Sequence, residues 1–109
     1  MLIEVARVAD IADGGMIAVS VKGKEIVICN YEGRFYAVSR ACGHLNAYLN
    51  SGTLDGYILT CPLHFAQFDI TTGEALSGPV PPDPDPLHAT ADLKTYPVQV
   101  KADTISIDI

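Results

Sequence analysis

Three cysteines and three histidines are the only soft or borderline metal ligands in this 109-residue chain, apart from two methionines. Four of the six fall into two short motifs, Cys42-Gly43-His44 and Cys61-Pro62-Leu63-His64, with sixteen residues between them. Each motif is short enough to lie on one tight loop, and each follows a run of strand-forming residues. Thiolate and imidazole together select zinc or an iron–sulfur centre and disfavour calcium or magnesium, which want oxygen. A structural tetrahedral zinc accepts two Cys and two His at comparable spacing, so the ligand types alone leave both metals open. Pro62 sets the turn between Cys61 and His64. No residue is assigned a catalytic role.

The elements that must carry these loops are strands. Val, Ile, Tyr and Thr dominate short runs separated by turn residues, and no helical period persists, which predicts an all-β domain. The predicted strands are Leu2 to Val8, Met16 to Val21, Glu25 to Tyr31, Arg34 to Ser39, Tyr57 to Thr60, Ala66 to Ile70, Lys94 to Lys101 and Thr104 to Ile109. The breaks fall at Asp13-Gly14-Gly15, Lys22-Gly23-Lys24, Glu32-Gly33, Asp55-Gly56 and Thr72-Gly73. Two stretches do not read as strand. One is Ala41 to Thr53; the other is Ser77 to Ala91, where Pro79, Pro81, Pro82, Pro84 and Pro86 rule out regular pairing and imply an ordered surface loop. Cys29 sits in the strand run Glu25 to Tyr31 and reads as a small core filler. His88 reads as a solvated side chain on the proline-rich stretch, and the five tyrosines as mostly strand or core aromatics, with Tyr48 a candidate for a docking surface.

At 49% hydrophobic and 18% charged residues, the chain suits one domain over residues 1–109 that buries about two-thirds of its unfolded surface. A second catalytic domain does not fit. No stretch approaches the roughly 20 apolar residues of a membrane helix, and Glu4 and Arg7 interrupt the apolar N-terminal run, so neither a membrane span nor a signal peptide is expected. An odd number of cysteines without an export signal favours reduced thiols or metal ligands, and a cytoplasmic location. The formal charge of −6 and pI near 4.7 disfavour nucleic acid. From Ala41 to Leu93 there is no Lys or Arg, while Asp55, Asp69, Glu74, Asp83, Asp85 and Asp92 lie there; the rest of the chain balances seven against seven. That half presents a negative field, which implies a basic partner surface.

The pattern C-x-H, a gap of this length, then C-x-x-H resembles Rieske-type iron–sulfur proteins. The text ACGHLNAYLNSGTLDGYILTCPLHFAQFDITTGEAL is similar to the cluster-binding region of soluble Rieske ferredoxins, and GRFYAVSRAC and KTYPVQVKADTISIDI extend the likeness to residues 16–109. The resemblance implies an all-β Rieske fold: an antiparallel sandwich or barrel base, an inserted cluster-binding subdomain at about residues 40–70, and a proline-rich loop at about residues 77–91. It implies one [2Fe–2S] cluster, with Cys42 and Cys61 on one iron and His44 and His64 on the other. Gly78-Pro79-Val80-Pro81 resembles the loop that covers such a cluster.

Two thiolates and two neutral imidazoles around an oxidised core sum to zero, where four thiolates would leave −2, so the electron is easier to add; Rieske potentials span about −150 to +300 mV. High-potential members resemble C-T-H-L-G-C and C-P-C-H-G-S, with a disulfide and with Ser and Tyr hydroxyls bonded to the cluster sulfurs. Here Ala47 and Leu63 replace those cysteines, Ala66 the Ser and Phe68 the Tyr. Fewer donors place the potential at roughly −150 to 0 mV. By the same resemblance the protein carries single electrons from a flavin-dependent NAD(P)H reductase to a terminal oxygenase that hydroxylates aromatic rings, with His44 or His64 as the exit. It is not that oxygenase, whose iron needs two further histidines and a carboxylate; only His88 remains. A monomer is expected. The alternatives are a small Rieske subunit of a larger reductase, such as nitrite reductase, and an interaction domain held by zinc.

Overall fold

The computed structural model describes residues 1–40, 49–62, 65–77 and 91–109. In chain order its strands are β1 (Leu2–Arg7), β2 (Met16–Val21), β3 (Lys24–Tyr31), β4 (Arg34–Ser39), β5 (Thr53–Asp55), β6 (Ile58–Thr60), β7 (Gln67–Asp69), β8 (Ala75–Ser77), β9 (Thr95–Tyr96), β10 (Val98–Lys101) and β11 (Thr104–Asp108). They form three antiparallel sheets, ordered β1-β11-β10, β2-β3-β4-β9 and β5-β6-β7-β8. The turns of the middle sheet follow from local chemistry. Lys22-Gly23 joins β2 to β3 and Glu32-Gly33 joins β3 to β4, and all four residues have positive φ. Two-residue turns of this hand match the right-handed twist of the strands, and glycine takes the second position at no steric cost.

The middle sheet is buried on both faces. Val27, Cys29 and Val38 pack on one side with Leu49, Leu59, Cys61 and Phe68; Ile26, Ile28, Phe35 and Ala37 pack on the other with Ile11, Ile105 and Ile107. This is why Ile26 to Cys29 is an unbroken apolar run rather than an alternating one: each residue has a core to enter whichever way it points. Asn30, the one buried polar side chain among the described residues, is satisfied. Its Nδ2 donates to the Ile11 carbonyl at 2.8 Å, and its Oδ1 accepts from the Gly33 N–H at 2.9 Å.

The all-β expectation holds, with specific corrections. The stretch Lys94 to Lys101 is not one strand: Pro97 has no N–H to give a ladder, and the chain changes sheet there, β9 pairing with β4 and β10 with β11. The Pro97 carbonyl still accepts from Asp108 at 2.9 Å. Thr53 and Ser77, read as non-strand, belong to β5 and β8, the short edges of the third sheet. The first strand stops at Arg7, because Val8–Asp10 forms a 3-10 turn whose Val8 N–H donates to Asp103. A second 3-10 turn, Leu49–Ser51, was also unexpected. No helix among the described residues is long and apolar enough to cross a membrane.

Cys29 lies wholly inside this core, and burial pushes its thiol from 9.0 up to about 12. Between those values the unfolded chain binds fewer protons than the folded one, so the contribution of Cys29 makes stability fall as pH rises from 9 towards 12. In urea titrations across that window, Cys29→Ala should start less stable, since it leaves a small void, and should lose stability less steeply than the unaltered protein. Equal slopes would contradict the burial assigned to this thiol.

Candidate metal centre

Of the four candidate ligands, Cys61 is among the described residues, whereas Cys42, His44 and His64 lie outside them, as do Ala47, Tyr48, Leu63, His88 and the segment Gly78 to Pro81. The structure describes the bases from which both ligand loops spring.

The first loop leaves β4 and returns at the 3-10 turn. Arg40 extends the β3–β4 ladder by one rung, its N–H donating to the Glu25 carbonyl at 3.0 Å, and its own carbonyl accepts from the Leu49 N–H at 2.9 Å. One peptide hydrogen bond thus joins Arg40 to Leu49 across the intervening stretch. Leu49 is fully buried and anchors the return in the core.

The second loop joins β6 to β7. Thr60 pairs with Gln67, and one step beyond that rung the Cys61 N–H donates to the Ala66 carbonyl at 2.8 Å, closing the loop in the same manner. Cys61 is fully buried, in the same core cluster as Leu59, Ala66 and Phe68. Pro62 follows it, and Phe65, a residue 61% exposed, turns the chain back with φ of 58°. Ala66 and Phe68 are both fully buried, and neither side chain carries a hydrogen-bond donor.

What brings the two bases together is a residue that sequence reasoning did not single out. A Cβ on Gly52 would lie 1.9 Å from the Thr60 carbonyl oxygen and 3.2 Å from that of Leu49. The backbone leaving the first loop therefore lies directly on the backbone that delivers Cys61, and β5 pairs onward with β6 from Thr53 and Thr60. Gly52 is required for space and not for a positive φ, so the turn signals that mark glycines in a sequence do not reveal it. Ser51, Gly52, Thr53, Thr60, Cys61, Pro62 and Phe65 line a cleft of about 120 Å³ at this junction.

Among the described residues, the acidic side chains of the third sheet lie away from the second loop. Asp55, the only charged residue between Ala41 and Phe68, sits with Asp69 and Glu74 at the opposite end of the third sheet, across three-residue strands about 10 Å long. Asp92 joins them there, its Oδ1 accepting from the Ala75 N–H at 2.8 Å. Among the described residues no three metal-ligating side chains converge; the other three candidates are at 42, 44 and 64. Cys61 fits a metal-bound thiolate. It is a soft donor, shielded from water, on a loop pinned at its base, and a metal cation is the charge that keeps such a sulfur ionised.

Residues 1–97 match the family model for the Rieske [2Fe-2S] domain, and the chain belongs to this family, whose members are iron–sulfur proteins. It is 37% identical over 107 residues to the ferredoxin component of the naphthalene 1,2-dioxygenase system of Pseudomonas putida, an alignment that covers 98% of this chain and 94% of that protein. Its fold is similar to that of the Sphingomonas yanoikuyae B1 ferredoxin, at a TM-score of 0.86 and 31% identity, covering 100% of this chain and 99% of that one. A chain in the complex of reduced oxygenase and oxidised ferredoxin of carbazole 1,9a-dioxygenase matches at a TM-score of 0.84 and 28% identity, covering 97% and 91%.

Gly52→Ala tests the junction. Its methyl group would force the two loop bases apart, so the variant should lose about 1–3 kcal/mol in urea unfolding and bind clearly less iron per chain than the unaltered protein. Unchanged stability and iron content would show that this contact does not set the loops.

Proposed function

We propose that this chain is a Rieske ferredoxin: a cytoplasmic, monomeric electron carrier, one domain over residues 1–109 with an inserted cluster-binding unit at about residues 40–70 and a proline-rich loop at about residues 77–91. Its donor is a flavin-dependent NAD(P)H reductase and its acceptor a terminal oxygenase acting on aromatic rings. The observation that carries this reading is likeness along 98% of the chain to the ferredoxin component of a dioxygenase system. It favours a mobile carrier over a fixed subunit of a larger reductase or a zinc-held interaction domain.

Cys42, Cys61, His44 and His64 would hold one [2Fe–2S] cluster, the thiolates on one iron and the imidazoles on the other. When bound, that cluster supplies a one-electron couple. The chain's own residues decide how the couple is reached and tuned. Pro62 and the exposed Phe65 give the second loop an apolar surface beside Cys61. Such a surface brings a partner close without the desolvation of charges. The acidic side chains at the far end of the third sheet steer a basic partner over longer range, with an effect that salt screens. His44 or His64 would be the exit for the electron. Ala66 and Phe68, buried and without hydroxyls, offer the cluster sulfurs no side-chain hydrogen bond, which supports a potential of roughly −150 to 0 mV.

Two measurements test this reading. Mixed in a stopped-flow instrument with a purified terminal oxygenase of an aromatic-ring dioxygenase system, the reduced protein should pass on its electron, more slowly as salt rises; a reduced protein that stays reduced contradicts the carrier role. In redox titration, Ala66→Ser should raise the midpoint by about 60 mV, the one-electron equivalent of about 1.4 kcal/mol from a hydroxyl bonded to a charged acceptor. An unaltered midpoint above +200 mV would overturn the low-potential assignment.

A further inference from the structure

Arg40 is the last cation before the stretch from Ala41 to Leu93 that contains none. Its backbone clasps the first loop; its side chain does something separate. Nε donates to Oδ1 of Asn50 at 2.9 Å, across the base of the loop, and Nη1 pairs with the carboxylate of Glu25 on β3. The guanidinium side chain is 24% exposed, and a planar group held by two different acceptors has little rotational freedom left. Glu25 belongs to the middle sheet, which is packed on both faces. Asn50 belongs to the 3-10 turn that runs into Gly52, and Gly52 lies on Thr60, the residue before Cys61. One chain of contacts therefore runs from the rigid sheet through Arg40 and Asn50 to the bases of both ligand loops.

We propose that Arg40 is a positioning residue of the cluster site: its side chain straps the turn after the first Cys/His motif to β3, and so holds the base of that loop in register with Thr60 and Cys61. The inference rests on the ligand reading given above. It assigns the strap a geometric role. The Glu25 carboxylate balances the guanidinium, so the pair adds little net charge near the site, and what is lost with the strap is the definition of ligand positions. Groups that orient metal ligands from behind are worth about 10–100-fold in metal retention.

The test uses the cluster-loaded protein and four variants: Asn50→Ala, Asn50→Asp, Arg40→Met and the double variant Arg40→Met with Asn50→Ala. Absorbance bleaching in the presence of an iron chelator gives the rate of cluster loss, and low-temperature EPR of the reduced protein gives the spread of ligand geometries as line width. Asn50→Ala should bleach about tenfold faster and show broadened lines. Asn50→Asp keeps an acceptor for Nε and should stay near the unaltered rate and line width. Arg40→Met should behave as Asn50→Ala does, and the double variant Arg40→Met with Asn50→Ala should bleach no faster than Arg40→Met, because the two side chains form one strap. If Arg40→Met does not fold, the contrast between Asn50→Ala and Asn50→Asp still decides. Unaltered bleaching and sharp lines in Asn50→Ala would overturn the proposal. Absence of a Rieske signal from the unaltered protein would overturn the ligand reading, and this inference with it.

Discussion

Backbone can lie on backbone at the junction of Gly52 and Thr60 only because position 52 has no side chain. That contact sits at the base of both Cys/His motifs. It joins the return of the first ligand loop to the strand that presents Cys61, and each loop is separately closed at its base by one peptide hydrogen bond, Leu49 to Arg40 and Cys61 to Ala66. Two closed loops fixed side by side can hold a single metal centre between them. Four ligands scattered over separate elements would each need their own support. The buried Cys61 lies one residue past a strand end, so the ladder that orders the strand also orders this cysteine.

Rigidity behind the loops comes from the middle sheet. A strand buried on one face can slide by two residues at moderate cost, but β3 is enclosed on both, and any slip would strand apolar side chains in two cores at once. The division of surface chemistry follows from the same topology. The short strands of the third sheet separate the end that carries Pro62 and the exposed Phe65 from an acidic turn end.

Much of this was legible in the sequence because it is local. The strands β2 and β4 and the turns at Lys22-Gly23 and Glu32-Gly33 are written in runs of β-branched residues broken by glycine, and the structure has them at the expected positions. The two Cys/His motifs carried the family by their spacing, and the family match along the chain agrees. What escaped was nonlocal. Thr53-Leu54-Asp55 and Ala75-Leu76-Ser77 are too short and polar to signal strands, and they are strands only because β6 and β7 lie beside them. Pro97 reads as a blemish in one strand until two sheets are there for the chain to pass between. Gly52 and the Arg40–Asn50 contact depend on segments that meet only in the folded molecule. The ligand roles of Cys42, His44 and His64 rest on the motif; Cys61 alone has both the motif and a described position.

Two Cys/His motifs whose bases meet at Gly52 would ligate one iron–sulfur cluster through two thiolates and two imidazoles. The most direct measurement is low-temperature EPR of the dithionite-reduced protein, with iron and zinc assayed on the same sample. The account predicts two irons per chain and a rhombic signal whose average g-value is low, as mixed nitrogen and sulfur ligation requires. A zinc-loaded, EPR-silent protein, or an iron–sulfur signal with the higher average g-value of four thiolates, would contradict it.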